Sequence, residues 1–193
     1  MSYLIKGNPK NVNFIHVYST NGYTFTSATA PISPTTINFS FNSIIKPTNS
    51  NVTLSNGNVI LDNKNYIIQT PLAGCTTNYN AIPSYHANIH QKWILSKNNV
   101  EIENQVFPNT LNLLGTYYAY STASLNNIKP TNDLGFCSFV ANQYDELSLK
   151  INLTTTASTS IASTLTIIFP GTTHQNTNFG YPLTSLFIWE YDL

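Results

Sequence analysis

From Leu147 to Thr154 the chain alternates without a slip. Leu147, Leu149, Ile151 and Leu153 fall on one side, and Ser148, Lys150, Asn152 and Thr154 on the other. Successive side chains of a strand point to opposite faces, so the segment is extended, with one face buried and one wet. A helix would scatter both sets around its circumference. The same period recurs from Thr36 to Asn42, where Ile37, Phe39 and Phe41 alternate with Asn38, Ser40 and Asn42. Asn56-Gly57, between Val52–Ser55 and Val59–Leu61, supplies the positive φ values that a two-residue hairpin turn demands. Asn21-Gly22 stands in the same relation to Asn13–Ser19 and Tyr23–Thr26 and predicts a second hairpin.

Other extended runs are Tyr66–Thr70, Lys92–Ser96, Thr116–Thr122, Phe136–Ala141, Thr164–Phe169 and Leu186–Tyr191. Turn residues separate them, and no helical spacer stands between. The stretch Thr154–Ser163 is small and polar and reads as a loop. About ten short strands without crossover helices predict an all-β antiparallel sandwich. No linker or repeat divides residues 1–193, so one domain is expected, with residues 1–35 as an N-terminal strand or arm used in assembly.

Composition narrows the function classes. Charged residues are only 8% of the chain. Asn, Thr and Ser replace them, at roughly a third of all residues. The net charge is zero, and all 8 basic residues are lysine. Nucleic-acid binders carry a basic face, usually with Arg for bidentate contacts, so that role is not expected. No apolar run is long enough for a membrane-spanning helix. The opening residues lack a charged-then-apolar leader pattern, and no secretory leader is expected.

Candidate chemistry is thin. His86 and His90 have the spacing of a helical zinc pair, but Pro83 and polar neighbours disfavour a helix. On a strand their rings would stand about 13 Å apart. They are read as part of a hydrogen-bonded loop; the other two histidines are His16 and His174. Glu101/Glu103 and Asp145/Glu146 are paired carboxylates, read as a wet face and a turn cap respectively. Cys75 and Cys137 show no metal spacing and are read as small buried hydrophobes, with a disulfide as the alternative. No nucleophile elbow or phosphate-binding loop is present. No catalytic residue, metal site or cofactor is expected, and the chain is read as not an enzyme.

Aromatics offer the sharper signal. Tyr117, Tyr118 and Tyr120 cluster, and Phe187, Trp189 and Tyr191 share one face of the last strand, opposite Leu186 and Ile188. These six are the candidate interface or ligand surface, because Tyr and Trp bury area while keeping a polar handle. Core packing is the competing reading.

The order of signals from residue 36 to the end resembles the tumour-necrosis-factor/complement-globular-head superfamily of jelly rolls. Val52–Leu61 followed by Asn65-Tyr66-Ile67-Ile68 is similar to its early hairpin and strand, and Gln91–Asn98 to its polar strand. Phe136–Ala141, Asn142–Asp145 and Leu147–Leu153 resemble its late strand–turn–strand, and Leu186–Tyr191 its final strand. The resemblance implies a jelly-roll sandwich and a compact homotrimer with aromatics along the threefold axis. The same fold is common in phage and large-virus structural proteins. The expectation is therefore a virion structural protein, as a capsid surface, tail fibre or spike component, assembled in the host cytoplasm. Its partners would be itself, other virion proteins, and a host glycan or receptor in host attachment, without nucleic acid or membrane insertion. The alternative is a secreted, extracellular carbohydrate- or protein-binding module of lectin type.

Overall fold

The computed structural model describes residues 7–21, 23–27, 34–70, 76–80, 87–102, 110–113, 125–127, 135–157, 164–169 and 185–193. These contain sixteen strands and no helix. In chain order they are β1 (Lys10–Tyr18), β2 (Tyr23–Ser27), β3 (Thr35–Asn38), β4 (Ser43–Ile45), β5 (Thr53–Ser55), β6 (Asn58–Ile60), β7 (Asn65–Thr70) and β8 (Thr76–Asn80). There follow β9 (Ala87–Lys97), β10 (Val100–Glu101), β11 (Thr110–Leu113), β12 (Leu125–Asn127), β13 (Gly135–Val140), β14 (Glu146–Ala157), β15 (Thr164–Phe169) and β16 (Ser185–Asp192).

Their pairing reduces to eight chain segments. The first (β1, β2) pairs with the eighth (β15, β16). The second (β3, β5, β6) reaches the seventh (β14) through β3 and β6. The third (β7, β8) pairs with the sixth (β12, β13), and the fourth (β9) with the fifth (β10, β11). The eighth then lies beside the third, and the seventh beside the fourth. All ladders are antiparallel, and nested pairing of this kind is a long hairpin rolled into two sheets. The fold is an all-β jelly roll.

Segments one, three, six and eight each contribute two described strands. They form one ladder in the order β13-β7-β16-β1, with β4 at its edge, and a second in the matching order β12-β8-β15-β2. This division accounts for much of the excess over the ten strands expected.

Three sequence expectations need correction. β1 is paired with β16 and β4, and β2 with β15, so Asn21-Gly22 does not close a hairpin between them. Asn-Gly supplies turn geometry, but each flanking strand found a stronger partner elsewhere in the roll. Secondly, Thr154–Ala157 is not loop: it extends β14 against His90–Ala87 of β9. β-branched Thr suits a strand once a long partner is present. His90 is for the same reason a strand residue and not part of a loop.

The Asn56-Gly57 hairpin forms as expected, joining β5 to β6 with φ values of 50° and 83°. Gly57 is also packed tightly. A Cβ there would stand 2.3 Å from Ser40 Oγ and 3.2 Å from Ser40 Cα. The hydroxyl can swing away but the backbone cannot, and the Gly57 carbonyl accepts the Phe41 N–H at 2.8 Å. Gly57→Ala is expected to lower stability by about 2 kcal/mol, read as a lower urea midpoint at unchanged slope.

The core lies between the sheets. Ile15, Val17, Tyr66, Ile68, Leu186 and Ile188 come from one sheet, and Ile37, Val59, Leu95, Leu147, Leu149 and Ile151 from the other. Phe39 and Phe41 join the same cluster. Cys137 is a free thiol at 1% exposure, and burial pushes it up to about 12. It behaves as a small core hydrophobe, and Cys75 lies outside the described residues.

Candidate functional site

One face of the β13-β7-β16-β1-β4 sheet covers the core. The opposite face presents aromatic and apolar side chains. Along β1, Ile15 and Val17 are fully buried while Phe14 is 47% exposed. Along β16, Leu186 and Ile188 point inward and Phe187 and Trp189 are half-buried. Register places them side by side: Trp189 lies between Phe14 and Ile67, and His16 between Phe187 and Ile45. The Phe14 ring is 5.1 Å from Trp189 and 5.7 Å from Phe187, centroid to centroid, and tilted against both. The His16 ring is 4.9 Å from Phe187 and 5.0 Å from Tyr18. Ile45 and Val140 extend the apolar surface to the sheet edges at 61% and 62% exposure. No charged side chain occupies a described outward position between Phe14 and Tyr18, Ser43 and Ile45, Asn65 and Gln69, or Ser185 and Tyr191.

His16 is the one histidine in this surface among the described residues. Its Nε2 is buried without a hydrogen-bond partner, and burial holds its pKa below the ordinary histidine value. A charge there would be surrounded by rings and an isoleucine, with little water to solvate it.

The six aromatic candidates are placed unevenly. Phe187 and Trp189 lie in the patch. Tyr191 stands opposite Asn65 on the same strand but is only 5% exposed, so its ring adds little to the presented surface. Tyr117, Tyr118 and Tyr120 lie outside the described residues. Phe14, His16 and Tyr18 carry half of the patch and were not singled out from sequence. Their alternation with Ile15 and Val17 is visible there, but only the pairing of the chain's two ends brings them against Phe187 and Trp189.

The carboxylates of Asp62, Asp145, Glu146, Glu190 and Asp192 make structural contacts. Asp145 accepts the Asn142 N–H at 2.9 Å and the Asn98 Nδ2–H at 2.7 Å, with Lys97 Nζ 3.2 Å away. The Asn142 amide first, then Asn98 and Lys97, hold its carboxyl below the usual range. It caps the turn between β13 and β14, as expected. Asparagine amides recur as partners: Asn11 donates to Asp192, Asn13 to the buried Glu190, Asn51 to Asp62 and Asn58 to Glu146. Glu101 is exposed on β10, while Glu103, His86 and His174 lie outside the described residues. Among the described residues no three metal-ligating side chains gather at one point.

No protein-family model matches this chain, and no curated protein matches it. Among solved structures it is similar to the Eiger TNF of S. frugiperda, at 14% identity over 93% of each chain and a TM-score of 0.31. It is also similar to a chain of the Gx strain of infectious bursal disease virus, at 12% identity and a TM-score of 0.29. That match covers 95% of this chain and 38% of the viral one. The fold assignment rests on strand pairing.

Proposed function

We propose that this chain is a non-enzymatic structural protein of a virion, at the capsid surface or in a fibre or spike. It assembles as a homotrimer through the outer face of the sheet that carries β1 and β16. The observation that carries this reading is the uncharged aromatic face built from Phe14, Tyr18, Phe187 and Trp189. Contiguous exposed apolar surface of this kind marks an interaction site. A second copy suits it: the described outward positions carry no charge to repel themselves, and the chain's net charge is zero. Rings in tilted contact, with few side-chain rotamers to freeze, are the residues that dominate interfaces. Trimeric order and the virion setting draw support from the family resemblance and from a surface kept wet by amides and hydroxyls. Loops at one end of the roll would be free to meet a host glycan or receptor.

Light scattering on the purified chain tests the assembly. The expected mass is three times the 21.4 kDa of one chain. A monomer at micromolar concentration sinks the proposal, and a monomer that also binds a glycan array tightly favours a lectin-type module.

A further inference from the structure

We propose that His16 is an acid-sensitive latch at the centre of this face, so that protonating it loosens the contact between copies. The inference rests on the self-association proposed above and adds a means of reversing it.

Geometry makes the case. His16 sits on a central strand with Phe187 directly across on β16 and Ile45 directly across on β4. Tyr18, two residues along its own strand, is the one titratable neighbour on this side among the described residues, and Ser43 and Ser185 complete the row beyond it. Lys46, the next residue after Ile45, donates from its Nζ to the Ser50 carbonyl at 2.8 Å. Glu190 lies on the core side of β16. No carboxylate among the described residues therefore stands where it could stabilise an imidazolium.

In the neutral ring, Nε2 can remain a bare acceptor with the proton on Nδ1. Protonation puts an N–H at Nε2, where no acceptor stands among the described residues. The cation gains some attraction from the Phe187 and Tyr18 rings. That gain is smaller than the cost of an unpaired charge out of water. The ring is relieved by swinging toward solvent, which opens the middle of the patch. A second copy laid over the face removes the remaining water and raises the penalty.

The sign follows from linkage. The free chain binds the His16 proton more readily than the assembled one, so assembly is favoured above the free chain's pKa and weakens as pH falls through it. One unit of difference between the two states corresponds to about tenfold weaker association per protomer.

The test is solution mass at pH 7.5 and pH 5 for the native chain, His16→Phe and His16→Gln. A pH of 5 is above the ordinary carboxylate values of about 3.9 and 4.3, so most ordinary carboxylates stay ionised. The expected result is a native oligomer at pH 7.5 that dissociates at pH 5, with both variants assembled at both values. If His16→Phe fails to fold, the smaller uncharged His16→Gln gives the same readout. A native oligomer that persists at pH 5, or variants that dissociate as the native chain does, overturns the latch and leaves self-association standing. A native monomer at pH 7.5 overturns self-association, and the latch with it.

Discussion

Replacing Phe14 and Trp189 together by serine should leave a folded monomer. Both rings lie on the outer face, and neither belongs to the cluster that fills the sandwich. Truncating an aromatic anchor at the centre of an interface typically costs about 2 kcal/mol or more. Two such losses raise the dissociation constant by a factor of about a thousand, enough to abolish the oligomer at micromolar concentration. Far-UV circular dichroism and a urea midpoint close to the native one would show that the roll survives, because cooperative unfolding reports the core. Light scattering on the same sample reads the assembly. An unchanged mass would mean that copies meet elsewhere, or that these rings serve another partner.

Asp145→Ala should strike the fold itself. The carboxylate joins three strands' ends: the Asn142 amide before β14, Asn98 in the β9–β10 turn, and Lys97 at the end of β9. Hydrogen bonds to a charged group contribute about 1.5–3 kcal/mol, and removal strands several donors at once, so a loss of about 3 kcal/mol is expected. Acid should mimic part of this. Asp62, Asp145 and Asp192 are all held below the usual carboxylate range. Asn51 leads for Asp62, the Asn142 amide for Asp145 and Lys64 for Asp192. A carboxyl depressed in the folded state stabilises fully above its unfolded value, about 3.9. That contribution is lost as pH falls below 4 and through the folded values. Asp145→Ala should therefore flatten the decline of the urea midpoint between about pH 4.5 and 2.5, and a decline as steep as the native one would assign the acid response elsewhere.

The sequence carried the strands whose signals are local. Leu147, Leu149 and Ile151 are buried as their alternation predicts, and so are Ile37, Phe39 and Phe41. Asn56-Gly57 closes its hairpin because the turn geometry and both strands lie within a few residues. Asn21-Gly22 has the same chemistry and does not, since partner choice there was decided by β16 and β15, far along the chain. Asn98 and Asn99 show the converse: with φ values of 50° and 64° they close the β9–β10 turn without any glycine. Half of the aromatic face could be read from Phe187 and Trp189. The other half depended on Lys10 meeting Asp192 across nearly the whole chain, and no window of sequence contains that contact.

Asparagine stands against carboxylate at Asn11–Asp192, Asn13–Glu190, Asn51–Asp62, Asn58–Glu146 and Asn98–Asp145. This sets how the molecule ages. Asparagine is a thermolabile residue that slowly loses ammonia and becomes an acid. In most proteins such an event adds one stray surface charge. At these five positions each event removes a donor and sets two negative groups face to face, turning a clasp into a repulsion. Old protein would grow steadily more acidic and looser at these five contacts.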